Sequence, residues 1–411
     1  MNKDDRGLTN KEIFTPIQSL DKWITRNGFA GYDPYDIKAI PWIQKLTAIG
    51  QKNVIAEALR EIVFELTYTF PKSARKIFNI NPSVNPKAMG LLAKAYLDLF
   101  LSTGEDDFLS KSKQYLAWLE SHPSTTSKGI GWGYPFSWQS TYLIPANTPN
   151  GIVTTAVGDA FWSWYQYTGE KAYLTICSEI CEFLLTLPVD RIADQQICFS
   201  YTPLAINHVH NLNLFVAEFL IKVGIETNNA EWVKIGNQAV NYTIANQLES
   251  GAFDYNGPPE SAKQFSDNYH TGFVLRMLHS IWKLTDDKKV FASLEKCYNH
   301  YLANFFEDGR IPKLLPNRKY RIDIHSCAES INCLSDLSLT FPQGLQTARQ
   351  VAVWTFSHLQ DPSSGYFYYG ILKSRFTGRP FISKIAYLRW GQAWMLKSLS
   401  NLFRIIHQPA G

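Results

Sequence analysis

A loop that recurs five times along the chain constrains the fold more than any other feature of the sequence. Each copy begins with Ser or Thr, follows a long amphipathic stretch and precedes a second one. The copies start at Ser102, Thr168, Thr227, Thr285 and Thr340. These starts lie 66, 59, 58 and 55 residues apart, counted from one copy to the next. Such regular spacing indicates repeated supersecondary units within one fold rather than separate domains.

Each repeat unit is predicted to be a helical hairpin. Around the loop at Thr285, apolar residues recur every three or four positions, from Val274 to Leu284 before it and from Val290 to Leu302 after it. This periodicity is typical of amphipathic α-helices. Short aromatic segments at 131–138, 197–201, 251–255 and 365–369 close the units. They are predicted to be short extended pieces or tight turns.

The two ends of the repeat array each carry a helix without a partner. Five hairpins span about residues 86–359, with single predicted helices near 54–67 and 386–403. We expect these two helices to pair, because a linear array would leave both of its end faces uncovered. The predicted fold is therefore all-α, a closed (α/α)6 toroid forming one domain over 1–411, with residues 1–40 as an N-terminal extension. An open helical solenoid is the structural alternative.

The composition is that of a chain with one large core. Of its 411 residues, 45% are hydrophobic, and no Pro/Gly/Ser-rich linker divides them. Lys and Arg exceed Asp and Glu by 40 − 36 = +4, an excess that gives no indication of nucleic-acid binding but is compatible with an anionic ligand. The N-terminus lacks a signal-peptide pattern, no apolar run reaches membrane-span length, and the six cysteines lie on apolar faces as in reduced proteins. These features predict a cytoplasmic protein without a membrane span.

Polar and aromatic residues cluster where each predicted inner helix begins. The clusters are Trp132, Tyr134, Trp138 and Gln139 with Asn147, Thr148 and Asn150; His208, His210, Asn211 and Asn213; Asp267, Asn268, Tyr269 and His270; Arg321, Asp323 and His325; and Arg389, Trp390 and Gln392. Asn150 and Asp323 can be explained as helix N-caps, but His, Arg, Gln and Trp are poor caps. Because the inner helices of a toroid run parallel, the clusters should converge on one cavity.

Two short segments resemble enzymes of a known superfamily. Residues 388–394, which include Arg389, Gly391 and Gln392, resemble the Arg-Gly-Gln-Ala-Trp segment of unsaturated glucuronyl hydrolases, and residues 269–273 are similar to their Asp-x-Gly-Phe segment. The resemblance implies the six-hairpin glycosidase superfamily, which includes sugar epimerases and neighbours polysaccharide lyases with related toroids. The chain also resembles uncharacterised proteins encoded among capsule and exopolysaccharide genes. Together these resemblances imply a carbohydrate-active protein of surface-polysaccharide metabolism, with an oligosaccharide or polysaccharide as its partner.

The chain departs from that family at the catalytic carboxylates. His270 stands in place of the Asp of Asp-x-Gly-Phe, and residues 207–212 lack the Asp that precedes the family's Met-Met-Asn-Leu segment. Hydrolysis of a glycosidic bond, the first hypothesis, requires two carboxyl groups, and Asp267 and Asp323 are the candidates. On this hypothesis Arg389 and Gln392 orient the substrate, while Trp132 and Trp138 stack on sugar rings.

Two other hypotheses remain open. A uronic acid lyase or C5-epimerase needs a base, an acid and a cation, for which the candidates are His208, His210, His270, Tyr134, Tyr269 and Arg389. A non-catalytic glycan-binding or assembly factor would have retained the cleft after losing its catalytic carboxylates. On any of these hypotheses, further predicted substrate contacts are Gln139, Asn211, His325 and Trp390. No motif supports a nucleotide cofactor, and the two histidines of His208-x-His210 would diverge on a helix, so neither a cofactor nor a metal is predicted.

Overall fold

The computed structural model describes residues 9–260 and 265–407, and these are mainly helical. The α-helices are α1 (Asn10–Asn27), α2 (Pro41–Gly50), α3 (Val54–Thr69), α4 (Pro71–Ile77), α5 (Pro86–Thr103), α6 (Asp106–Ser121), α7 (Gly151–Thr168), α8 (Lys171–Leu184), α9 (His210–Glu226), α10 (Ala230–Ala245), α11 (Asn268–Thr285), α12 (Lys288–Asn304), α13 (Ile324–Asp336), α14 (Gln343–Leu359) and α15 (Trp394–His407). A 3₁₀-helix covers Asp36–Ala39, and a π-helical segment, Leu388–Ala393, leads into α15.

The strands are short and lie in the connections between helices. They are β1 (Ala30–Gly31), β2 (Ser83–Val84), β3 (Trp138–Gln139), β4 (Leu143–Ile144), β5 (Val189–Ala193), β6 (Gln196–Phe199), β7 (Phe306–Glu307), β8 (Ile311–Pro312), β9 (Ile322–Asp323), β10 (Gly370–Lys373) and β11 (Pro380–Ser383). All of them pair in antiparallel fashion, and β10 lies between β9 and β11. Two of the aromatic segments predicted to be extended overlap strands: β3 begins at the last residue of 131–138, and β6 begins one residue before 197–201.

Six helices form a closed inner ring. Each of α5, α7, α9, α11, α13 and α15 packs against the next, and α15 packs against α5 to complete the circle. The outer helices α6, α8, α10, α12 and α14 each pack against the inner helix that precedes them in the chain. The predicted (α/α)6 toroid is confirmed.

The helix that completes the sixth hairpin differs from the one predicted. α15 packs against α1, whose Ile13, Ile17, Leu20 and Ile24 are fully buried. α3, which covers the predicted partner at 54–67, packs against α2 instead, and its Ile55 is 81% exposed. The expectation that the helix at 54–67 pairs with the last helix is therefore wrong. Within residues 1–40, expected as an extension, α1 serves as the outer helix of the last hairpin; the single-domain assignment stays a prediction.

Helix caps explain both the repeated loops and the starts of the inner helices. Gly104 and Gly169 end α5 and α7 with φ of 73° and 72°, in the left-handed region that glycine adopts without strain. At the opposite ends, Asn150, Asp267 and Asp323 accept backbone N–H groups as N-caps of α7, α11 and α13. The capping interpretation of Asn150 and Asp323 is thus correct. These caps fix where the inner helices begin and therefore where the neighbouring polar side chains lie.

The six cysteines are all buried and unpaired, as the sequence predicted. In the part of the chain that the structure describes, no helix is both long and apolar enough to cross a membrane.

Candidate active site

A cavity of about 740 Å³ lies at the N-terminal ends of the inner helices. Nine of the residues singled out in the sequence line it: Tyr134, Trp138, Gln139, Asn211, Tyr269, His270, His325, Arg389 and Trp390. They come from all five sequence clusters and include members on β3, α9, α11, α13 and the π-helical segment. The ring therefore brings together residues that are far apart in the chain.

Two of the predicted substrate contacts are core residues. Trp132 is fully buried, donates its Nε1–H to the carbonyl oxygen of Leu119 at 3.1 Å and stacks on Phe161. Gln392 is also fully buried, and its amide bonds the backbone N–H and carbonyl of Phe367, both at 2.8 Å. Because their surfaces and polar atoms are already engaged, neither can stack on or orient a sugar in this cavity. This corrects the roles expected for Trp132 and Gln392.

His208 and His210 lie beside the cavity rather than in its lining. The Nε2 of His208 is 2.9 Å from a carboxylate oxygen of Asp190, and its Nδ1 is 3.4 Å from Glu260. His210 stacks on Tyr242, and its buried Nδ1 has no hydrogen-bond partner in the described residues. Those residues contain no group of three or more His, Cys, Asp or Glu placed to hold a metal ion.

His210 should make the fold sensitive to acid. Burial lowers its pKa from 6.5 to about 4, so the unfolded chain takes up a proton at this histidine before the folded chain does. Stability is then highest above pH 6.5 and falls as the pH drops toward 4, by about 3 kcal/mol for this group. Urea unfolding at pH 4.5 and 7 should show a smaller difference for His210→Gln than for the wild type. An equal difference in both proteins would contradict this assignment.

Asp267 and His270 form a hydrogen-bonded pair at the start of α11. One carboxylate oxygen of Asp267 accepts the backbone N–H of His270 at 3.0 Å, and the other accepts its Nδ1–H at 2.6 Å. Asp267 is 4% exposed, whereas the His270 side chain is 23% exposed and lines the cavity. The carboxylate holds the imidazole in the tautomer that leaves Nε2 unprotonated. Nε2 has no partner among the described residues and is available to a ligand.

Two tyrosine rings flank His270. The ring centroids of Tyr255 and Tyr269 lie 4.6 Å and 4.3 Å from that of His270. Both tyrosines line the cavity, and burial raises the pKa of each above its ordinary value. They therefore keep their hydroxyl protons at neutral pH and can donate hydrogen bonds or a proton beside the imidazole.

Asp323 supports the aromatic wall of the cavity from behind. One of its oxygens accepts the Nε1–H of Trp390 at 2.8 Å, and Trp390 stacks on His325 with centroids 4.4 Å apart. The other oxygen of Asp323 has no hydrogen-bond partner in the described residues and lies 3.6 Å from Nε of Arg321. Burial raises the pKa of Asp323 and lowers that of His325 well below its usual value. Asp323 does not itself line the cavity.

Arg389 is held by a carboxylate that sequence reasoning missed. Its Nε and Nη2 donate to the two oxygens of Asp33 at 2.5 Å and 2.8 Å, and both side chains are buried. The guanidinium lies 5.0 Å from the ring centroid of Tyr134 and 5.5 Å from that of Tyr35. Asp33 and Tyr35 belong to the segment between α1 and α2, which no motif marked as part of the site.

Two lysines add positive charge to the cavity. Lys38 and Lys87 line it, and neither has a carboxylate partner among the described residues. Burial lowers the pKa of Lys38 to about 8 and that of Lys87 well below its usual value. An anionic ligand would offset this desolvation and favour the charged ammonium. Lys87 follows the N-cap Asn85 of α5, so the repeat phase that marked the other clusters could have identified it.

The fold is shared with solved carbohydrate-active enzymes. The chain is similar to a structure described as a possible member of glycoside hydrolase family 105 from Salmonella enterica, with 12% identity, a TM-score of 0.64 and coverage of 98% of this chain and 96% of that one. It is also similar to an unsaturated glucuronyl hydrolase specific for heparin, with 12% identity, a TM-score of 0.54 and coverage of 79% and 88%. A third is the cellobiose 2-epimerase of Bacillus thermoamylovorans, with 10% identity, a TM-score of 0.60 and coverage of 80% and 90%.

These similarities confirm the predicted (α/α)6 fold. No family profile matches the chain, and no curated protein matches it. At such low identities the shared toroid carries no assignment of substrate or reaction.

Proposed function

We propose that this protein is an enzyme of surface-glycan metabolism that removes the C5 proton of a uronic acid residue, as a lyase or a C5-epimerase. The observation that carries the proposal is the Asp267–His270 pair, which presents an imidazole to a cavity lined by Lys38, Lys87 and Arg389. Glu260 is the one carboxylate among the described residues that line this cavity. A positively charged cavity favours a sugar that carries a carboxylate.

The residues can be assigned to the steps of such a reaction. Nε2 of His270 takes the C5 proton, and the electron pair left on C5 spreads into the adjacent carboxylate of the sugar. Arg389 and Lys38 stabilise the enolate-like charge that develops there. In a lyase this electron pair then forms a C4–C5 double bond as the glycosidic C4–O bond breaks, and Tyr255 or Tyr269 donates a proton to the departing oxygen. In an epimerase no bond to oxygen breaks, and the tyrosine donates its proton to the other face of C5. The similarity to a sugar epimerase supports chemistry of this kind on the same fold.

Hydrolysis of a glycosidic bond is the second candidate. The raised pKa of the buried Asp323, whose Oδ2 has no hydrogen-bond partner among the described residues, is the property expected of a general acid. The similarity to a glucuronyl hydrolase supports it as well. Against it, both oxygens of Asp267 bond His270, and Asp323 lies behind Trp390 rather than in the cavity lining. A two-carboxylate mechanism requires both groups at the scissile bond.

The test is incubation of the full chain with a panel of uronate-containing surface glycans in deuterated buffer. A lyase produces an unsaturated uronide that absorbs ultraviolet light, and an epimerase introduces deuterium at C5 without cleavage. New reducing ends without either signal would favour hydrolysis instead. Saturable binding with none of the three signals would support a non-catalytic glycan-binding protein and contradict the proposal.

A further inference from the structure

A second cavity, of about 270 Å³, lies further along the same inner helices. Lys87 and Ile152 line both cavities, so the second one begins behind the floor of the candidate active site. Its lining extends from Trp394 at the start of α15 to residues in the later turns of the inner helices, including Lys222 on α9, Lys283 on α11 and Arg404 on α15. Charged side chains therefore lie among the apolar ones in this part of the ring axis.

The second cavity is lined by more basic than acidic side chains. Seven Lys or Arg residues and four Asp or Glu residues line it, an excess of 7 − 4 = +3. Three of these cations surround one ring, since Lys87 Nζ, Lys397 Nζ and Arg276 Cζ lie 5.4, 5.5 and 6.0 Å from the ring centroid of Trp394. Asp159 lies 3.2 Å from Lys397, and Glu329 pairs with Arg276 at 2.6 Å, but Lys87 has no carboxylate partner among the described residues.

Hydrogen-bond donors without partners line the same cavity. The indole Nε1 of Trp394, which is 2% exposed, and the amide Nδ2 of Asn332, which is 1% exposed, bond to no acceptor in the described part of the chain. Leaving a buried donor unsatisfied costs about 1–3 kcal/mol. The lining carboxylate oxygen that also lacks a hydrogen bond, on Asp98, lies 3.4 Å from the ammonium of Lys94. The unmet demand is therefore for an acceptor that carries negative charge.

From this arrangement we infer that the second cavity binds one small inorganic oxyanion, phosphate or sulfate. Such an ion offers acceptor oxygens to Trp394 and Asn332 and places negative charge beside Lys87, Lys397 and Arg276. The volume of 270 Å³ falls below the range of about 300–1,000 Å³ typical of drug-sized ligands, which suits a single compact ion. The inference does not depend on the reaction proposed for the larger cavity.

Calorimetric titration of the full chain with sodium phosphate, and separately with sodium sulfate, tests the site, with sodium chloride at matched ionic strength as the blank. We expect one ion per chain. Trp394→Phe, which keeps an aromatic ring but removes the N–H, and Asn332→Asp, which replaces the donor with a carboxylate oxygen, should each weaken binding at least about tenfold. Trp164→Phe is the matched control, because the Trp164 Nε1 bonds Ser112 outside both cavities.

Three results would overturn the inference. The first is that neither ion binds the wild type saturably. The second is that Trp394→Phe and Asn332→Asp both bind the ion as tightly as the wild type. The third is that Lys38→Met weakens binding whereas neither Trp394→Phe nor Asn332→Asp does. The third result would place the ion in the larger cavity, which Lys38 lines and Trp394 does not. Circular dichroism of each variant shows whether it is folded. If Asn332→Asp is unfolded, binding to Trp394→Phe alone decides the outcome.

Discussion

Replacing His270 with glutamine is expected to lower kcat on a uronate glycan by about 10²- to 10⁴-fold, the usual contribution of a general base. Glutamine keeps a polar side chain of similar reach, but its amide cannot accept a proton from C5. The ring that Asp267 orients through its 2.6 Å bond would be lost, while the cations that bind the sugar carboxylate remain. KM should therefore change much less than kcat.

His122→Gln is the matched control for this variant. His122 is exposed and stacks on Trp118, away from the cavity. The control should keep wild-type kcat and KM. If His270→Gln retained kcat within about threefold of the wild type, or lost as much in KM as in kcat, His270 would not be the base.

Asp33→Asn is expected to destabilise the protein by about 3–5 kcal/mol, because it leaves the guanidinium of Arg389 buried without its counter-charge. Both partners are almost inaccessible to water, at 4% and 2% side-chain exposure, so solvent cannot replace the lost carboxylate. Asp33 also accepts the backbone N–H of Tyr35 at 2.9 Å, which holds that ring at the cavity. Urea unfolding followed by circular dichroism measures the change.

The double variant Asp33→Leu/Arg389→Met separates the stability of this pair from its function. Replacing a buried ion pair with apolar side chains is often close to neutral, so the double variant should regain most of the stability lost in Asp33→Asn. It should nevertheless be inactive on a uronate glycan, because the Arg389 cation proposed to contact the sugar carboxylate is gone. A loss of less than about 1 kcal/mol in Asp33→Asn would mean that the pair behaves as an exposed salt bridge.

The spacing of the loops was sufficient to predict the toroid, but not which helix closes it. Both α1 and α3 are amphipathic, and the buried positions of α1, from Ile13 to Ile24, have the same three- and four-residue spacing as apolar positions on α3. Periodicity shows that a helix has an apolar face and does not show what covers it. The sequence could have identified α1 as an amphipathic helix from the spacing of Ile13, Ile17, Leu20 and Ile24. Tertiary contacts decide that α1, and not α3, packs against α15.

The location of the candidate cavity could be predicted because caps and parallel inner helices place most of the cluster residues at one end of the ring. Their individual orientations could not. Trp138 lines the cavity and Trp132, six positions earlier, lies in the core, because the direction of each side chain depends on the loop geometry between β3 and its neighbours. The pairing of Arg389 with Asp33 joins residues 356 positions apart and had no local signal.

The central claim, that His270 faces C5 of a bound uronic acid, is tested most directly by a crystal structure of His270→Gln with a glucuronate-containing oligosaccharide. We expect C5 within about 3–3.5 Å of the position that Nε2 of His270 occupies in the wild type, the separation of reacting atoms in a near-attack geometry. The sugar carboxylate should contact Arg389 or Lys38. A sugar bound with C1 between Asp323 and a second carboxylate, or bound outside this cavity, would contradict the claim.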